Sequence, residues 1–392
     1  MNPLASFACA GALAFATGAW AAPPLPLSSP LAEGFSPARF ARVTQFVKDL
    51  ATPGGYLGAV SLVARNGRIV DWRASGHRDL ARTSAMKPDT IFRIYSMTKP
   101  VASVALLILL DEGRIGSLDD PIDKYLGEFA GRHVAVTIRH ILTHTSGFAG
   151  ATEAMERSAD LKSYGEAAGR LAPLGYAGER FEYNAVNTEV ASRLVEVVSG
   201  TTFDAFLRER IFAPLRMADT GFTLPADKLS RLADMTTTDI KGRPASYAVP
   251  APMLRPYFSG AGGLYSTAGD YARFCQMLAN GGELDGASIL GRKSVELMMT
   301  DHLAHFDPPV RREGGEGFGL GGYVVLDAAA RGRPGSVGAF GWAGAGGTYF
   351  TIDRQERLVA ILLTQHIAQG LPRDPRKPRD RFYNLVYQSL VK

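Results

Sequence analysis

The stretch that most constrains this chain is Ile94-Tyr95-Ser96-Met97-Thr98-Lys99-Pro100 with the apolar run behind it, Val101 to Leu110, closed by Asp111-Glu112-Gly113. Proline is tolerated only in the first helical turn, where backbone N–H groups have no intrahelical partner, so Pro100 sets a helix start within about four residues upstream. From there the run is apolar on almost every face, which predicts a helix surrounded by protein, and Gly113 supplies a left-handed stop. Ser96 then sits at the helix tip. Ser96 and Lys99 share one face of that helix, so an amine stands beside a hydroxyl whose proton it can take. The S-x-x-K spacing decides nothing by itself, because it recurs at Ser84–Lys87 and Ser389–Lys392. The first copy lies in a polar stretch with no apolar helix behind it, and the second at the fraying end of a terminal helix. Only Ser96 opens a buried helix.

A chain of 392 residues, 46% hydrophobic and 21% charged, can bury one large core or two and is neither disordered nor fibrous. The net charge of +5 is mild, and no basic run is interleaved with aromatics, so a nucleic-acid partner is not expected. The densest basic stretch, Arg373 to Arg381, alternates with Asp374, Asp380 and prolines and reads as a solvated linker. Residues 1–21 read as an export signal, with Leu4 to Ala16 as the apolar segment and Ala19-Trp20-Ala21 as the cleavage site, although no Lys or Arg precedes them. No later stretch reaches the length of a membrane span. The expectation is an exported, periplasmic or secreted enzyme. Cys9 would leave with the signal, and Cys275, on the apolar side of a helix, reads as core filler with no disulfide partner.

In chain order, residues 22–36 form a Pro-rich linker, and Pro37 to Leu50 carries helical periodicity. Leu57 to Ala64 and Arg68 to Ser75 alternate around Asn66-Gly67, which predicts a hairpin with a type I′ turn. From Arg114 to about Pro250 the pattern is helical with long loops, at Ile138–His144, Asn187–Ser199 and Phe203–Ile211. A helix from Ala268 follows, capped by the Ser266 and Thr267 hydroxyls. Strand patterns then return at Gly319–Leu326, Thr348–Asp353 and Leu358–Gln365, before a helix over Asp380–Leu390. Strands at both ends with helices between them predict a mixed α/β domain from residues 37–113 and 256–392, holding a helical domain over 114–255. A ligand site is expected at the boundary of the two.

Two further stretches carry chemistry. Tyr183, in Gly178 to Val190 at the entry to a helix, is a candidate base, because a lysine ammonium beside a phenol lowers its pKa. Phe340 to Thr348 is rich in glycine, so its backbone N–H groups can approach a substrate and, with the N–H of Ser96, make a two-donor oxyanion site. His140 and His144 have the spacing of paired metal ligands but lack the H-E-x-x-H glutamate and a third ligand, so no metal is expected. His302 and His305 read as surface. There is no G-x-S-x-G elbow, which argues against an α/β-hydrolase triad.

Together these stretches resemble the serine β-lactamase and penicillin-binding-protein superfamily, most closely the class C-like esterases known as family VIII carboxylesterases. The resemblance runs from about Phe40 to Gln365. It is carried in order by Ser96-Met97-Thr98-Lys99, Leu109 to Gly113, His140 to Gly147, Tyr183 with Val190 and Val195 to Gly200, Gly262 to Thr267, and Trp342 to Thr348. It implies a β-lactamase-like α/β (α+β) fold, a mostly antiparallel sheet flanked by helices, with no cofactor. By the same resemblance Ser96 forms an acyl-enzyme, Lys99 and Tyr183 share the proton transfers, and the N–H groups of Ser96 and Ala345 hold the oxyanion. Trp342, Ala343 and Gly344 stand where the β-lactamase K-T-G binds substrate, and Ala185 where the Asn of Y-x-N would stand. With that lysine and that amide gone, the expected substrate is a neutral, apolar small-molecule ester of short or medium acyl length rather than an anionic β-lactam. Asn184 or Asn187 as a replacement amide keeps weak β-lactam hydrolysis open. The alternatives to an esterase are a β-lactamase, a D-Ala-D-Ala carboxypeptidase or an acyltransferase of the same fold. A non-catalytic binding module has no need of the complete Ser96, Lys99, Tyr183 set.

Overall fold

The computed structural model describes residues 24–52, 54–131, 135–249 and 256–392; the expected export signal lies outside them. Helix α1 (Pro37–Asp49) begins at the Ser36 cap, and strands β1 (Gly58–Arg65) and β2 (Arg68–Gly76) form the expected hairpin. Asn66 and Gly67 at its tip have φ of 53° and 75°, the left-handed pair a type I′ turn requires. Helix α2 (Thr98–Asp111) follows a 3-10 turn over Tyr95–Met97 and ends at Gly113, whose φ of 70° closes it. Helix α3 (Ala185–Ser199) is capped by Asn184, and α4 (Ala268–Ala279) by Thr267. The remaining strands are β3 (Glu316–Phe318), β4 (Tyr323–Val325), β5 (Phe340–Gly344), β6 (Thr348–Asp353) and β7 (Leu358–Leu363), and α5 (Arg379–Ser389) closes the chain.

The strands make one seven-stranded antiparallel sheet in the order β2-β1-β7-β6-β5-β4-β3. The central strands β1, β6 and β7 are buried along their whole length because both faces are covered. Alternation then assigns the faces. Val60, Leu62, Phe350, Ile352, Ile361 and Leu363 point into the core that contains α2. Ala59, Val63, Tyr349, Ala360 and Leu362 point the other way, against Val43 and Val47 of α1 and Phe382 and Val386 of α5. Every residue of α2 from Thr98 to Leu109 is buried. Each large aliphatic among them stabilises the fold by about 1.5–3 kcal/mol. The same core continues into α3 and the helical turns of residues 203–215, so α2 lies between the sheet and those helices.

Four expectations need correction. Gly319–Leu326 is not one strand: residues 319–322 are the turn of the β3–β4 hairpin, with Gly319 N–H donating to Gly322 O (2.8 Å). Residues 24–36 are not a free linker, since Ile69 N–H donates to Pro26 O, Ser28 N–H to Ile69 O, and Leu25 and Phe35 are buried. Within the span read as purely helical, Thr236–Thr238 pairs with Pro244–Ser246 as a small ribbon. His302 is buried, held by Arg139 (Nη1 to Nδ1, 2.7 Å) and the carbonyl of Leu297, while His305 is exposed as expected.

Candidate active site

Ser96 lies in the 3-10 turn that delivers α2 into the core. The turn is entered through Tyr95, a non-glycine residue with φ of 45°, a conformation costing on the order of 1–2 kcal/mol. Neighbouring elements hold it there. Ile94 N–H donates to Leu264 O (3.0 Å), Thr98 Oγ1 to Tyr95 O (2.7 Å), and Leu264 N–H to Thr98 Oγ1 (3.2 Å). One turn along, the Lys99 ammonium is buried and donates to Ser96 Oγ at 3.2 Å and to the Ala261 carbonyl at 2.7 Å. The second bond fixes the amine beside the hydroxyl, and it depends on the loop of residues 259–263. That loop is tied to α3 by Glu189, a fully buried carboxylate that accepts from the Ser259 hydroxyl and from Gly260 N–H (3.1 Å).

Tyr183 stands across from this pair, just ahead of the α3 cap, with Lys99 Nζ 4.8 Å from its ring centre. Burial pushes its phenol pKa up, but the Lys99 ammonium and hydrogen bonds from Lys99, Ser96 and Trp342 outweigh burial, so the net shift is downward. The Trp342 bond runs from indole Nε1–H to Tyr183 Oη at 3.2 Å. Behind Tyr183 lies His144, 4.6 Å ring to ring and fully buried. Burial, helped by the Lys99 and Arg312 charges, holds its pKa well below the usual histidine value, so it adds no second cation.

The other expected residues divide by the pleat of β5. Trp342 faces the site and packs on Phe318 at 5.1 Å. Ala343 points to the opposite face, among the α1–α5 core, so its side chain does not reach the site. Gly344 is where the sheet touches the turn that carries Ser96, and a Cβ there would lie 2.2 Å from Ile94 O. Ala345 opens the β5–β6 turn and lines one cavity of about 590 Å³ with Ser96, Lys99 and Tyr183. Ser96, in a 3-10 turn, and Ala345, in a tight strand turn, line the same cavity, and two backbone N–H groups of that kind can receive a developing oxyanion where both point into it. Of the two asparagines, Asn184 lines the cavity and Asn187 does not. Asn187 is fully buried and donates to Asn184 Oδ1 (3.0 Å), and Asn184 donates to Phe148 O (3.0 Å) while capping α3.

Two residues of the site were not anticipated. Glu189 carried a signal, since it falls on the apolar stripe Val186, Val190, Leu194 of α3, where an acid is buried only with partners. Arg93 lines the cavity and stacks on Tyr265, so a site without a cation other than the lysine is not what forms. Among the described residues no His, Cys, Asp and Glu side chains group as metal ligands do, and no helix is long and apolar enough to cross a membrane.

A family model described as Beta-lactamase matches residues 43–383. The chain belongs to the β-lactamase family. Among relatives, the esterase EstB of Burkholderia gladioli is 31% identical over 355 residues, covering 80% of this chain and 87% of the esterase. An uncharacterized protein of Mycobacterium tuberculosis is 32% identical over 357 residues, covering 82% of this chain and 88% of its own. Among solved structures, EstCE1, described as a hydrolase with promiscuous acyltransferase activity, superposes with a TM-score of 0.76 at 22% identity over 92% of this chain and all of its own. This β-lactamase-family chain is thus a hydrolase of the serine β-lactamase and penicillin-binding-protein superfamily, and its fold is the one that superfamily shares.

Proposed function

We propose that the protein hydrolyses carboxylic esters through an acyl-enzyme on Ser96. The observation that carries this reading is the Lys99 ammonium 3.2 Å from Ser96 Oγ, with the Tyr183 phenol opposite and an indole, Trp342, in place of the lysine that meets β-lactam drugs. Ser96 Oγ attacks the ester carbonyl carbon as its proton passes to the Lys99–Tyr183 pair, which accepts it in the form holding one proton fewer than ammonium plus phenol. The carbonyl oxygen becomes an oxyanion held by the Ser96 and Ala345 N–H groups. Collapse breaks the C–O bond to the alcohol, which leaves with a proton from the pair. Water then gives its proton to the same pair and attacks the acyl carbon, and Ser96 Oγ recovers a proton as the acid departs. Likeness to EstB supports the ester as substrate, and the burial of Asn187 against Asn184 leaves one amide fewer to meet a β-lactam.

The test is hydrolysis of p-nitrophenyl butyrate beside nitrocefin, with Ser96→Ala as control. Ester turnover lost in the variant, with little nitrocefin cleavage, is expected. Nitrocefin cleavage equal to or faster than ester cleavage would overturn the reading in favour of a β-lactamase. Product analysis with an added alcohol separates hydrolysis from acyl transfer.

A further inference from the structure

We propose that the preferred esters carry a second, anionic group, a carboxylate, and that the Arg93 guanidinium binds it; this rests on the esterase reading above. Arg93 lies three residues before the nucleophile and lines the same cavity as Ser96. The cavity's other cation, Lys99, is committed to Ser96 Oγ and the Ala261 carbonyl. Among the described residues that line the cavity there is no Asp or Glu, and none lies within 4.0 Å of the Arg93 guanidinium. Its contact is aromatic instead: the guanidinium carbon sits 4.6 Å from the Tyr265 ring centre.

The backbone that carries the arginine is also held in place. Its N–H donates to Gln365 Oε1 (2.7 Å), Gln365 Nε2 donates back to its carbonyl (3.3 Å), and Arg93 pairs with Tyr265 in a short antiparallel ladder. Stacking occupies one face of the guanidinium and leaves its edge N–H groups to meet a ligand, and that planar fork matches a carboxylate with two parallel bonds. Tyr95, Phe222, Phe258 and Tyr265 wall the same space, so water competes poorly for the pair. A half-buried cation without a counter-ion has lost hydration that a ligand anion would replace. The volume of about 590 Å³ suits a ligand with several methylenes between the two groups. This anchor is on a different element from Trp342, so it is not the drug-binding lysine displaced along β5.

The test compares kcat/KM for mono-p-nitrophenyl glutarate with that for p-nitrophenyl valerate, acyl groups of equal length that differ in the terminal carboxylate. The same comparison of 4-acetoxybenzoate with phenyl acetate places the anion on the alcohol side. One carboxylate-to-neutral ratio should exceed unity, fall at least tenfold in Arg93→Met, recover in part in Arg93→Lys, and shrink as salt is raised. Both ratios staying within twofold in Arg93→Met would overturn the proposal, whatever the absolute rates. Loss of turnover on all four esters in the unaltered protein would overturn the esterase reading instead. Calorimetry of Ser96→Ala, with Arg93 in place, then decides independently. Monomethyl glutarate should bind at least tenfold more tightly than dimethyl glutarate, and equal binding would overturn the carboxylate site even if the Arg93 variants fail to fold.

Discussion

Replacing Trp342 by phenylalanine removes one interaction from the site and leaves most of the rest. The indole N–H donates to Tyr183 Oη at 3.2 Å, while the ring itself packs on Phe318 and Tyr183, contacts a phenyl ring largely retains. A donor aimed at an oxygen that becomes anionic holds the phenolate more strongly than the phenol, so it lowers the pKa and its removal raises it. Hydrogen bonds to charged groups are worth about 1.5–3 kcal/mol. Tyr183 is 39% exposed, so water partly takes the donor's place and the low end applies, about 1.4 kcal/mol or one pKa unit. In a pH–rate profile on p-nitrophenyl butyrate, the acid limb of kcat/KM should therefore move up by about one unit, with about a tenfold loss at a fixed pH below it. The limb belongs to the coupled Lys99–Tyr183 pair rather than to either residue. A limb unmoved within about 0.3 unit, in a variant of unchanged thermal midpoint, would refute the claim that Trp342 tunes this pair.

Glu189→Gln puts an amide donor against Ser259 or Gly260. It should lower stability by about 1–3 kcal/mol and kcat/KM by about tenfold, as the Ala261 carbonyl loosens from Lys99. An unchanged kcat/KM beside a lowered thermal midpoint would confine Glu189 to stability. His144 has a folded pKa depressed by burial, so above pH 6.5 it is neutral in both states and its contribution is complete. As pH falls below that value the unfolded chain takes the proton first, and stability is lost at up to about 1.4 kcal/mol per pH unit for this group. Urea unfolding at pH 7.5 and 5 should show a smaller difference in His144→Asn, which also suits the φ of 56°; His140, depressed to about 4, keeps part of the slope. Burial pushes the Cys275 thiol well up, so dithionitrobenzoate should react with it only after unfolding; rapid labelling of the native protein would contradict its place in α4.

What could be read from the chain was local. Pro100 and the apolar run placed α2, Asn66-Gly67 placed a turn, and Thr348–Asp353 matched β6 residue for residue, because each is decided by neighbours a few positions away. Ser96 and Lys99 belong to the same class, one helical turn apart. The partners that make a site of them are not local. Ala261, Glu189 and Trp342 come from three distant segments, and no spacing rule connects them; Arg93 is only three residues from Ser96, but its place on the cavity wall depends on Tyr265, far along the chain. The pleat of β5 was legible only as alternation without a sign, so which of Trp342 and Ala343 faces Ser96 awaited the register with β6. Gly319–Leu326 misled because a run of glycines before Tyr323 reads alike as a strand start or a hairpin turn.

The sheet order bears on how the protein is made. Strand β1, near the front of the chain, has β7 as its inner neighbour, and Val60–Arg65 align with Leu358–Leu363. At ribosomal speeds of about 5–20 residues per second, on the order of 15–60 s separate the emergence of the two strands. Until then the apolar helix behind Ser96 can meet only the β1–β2 hairpin of the sheet, and Ala345 has not yet met the serine. The cavity that joins Ser96 to Ala345 therefore closes only when the last strand of the sheet has docked.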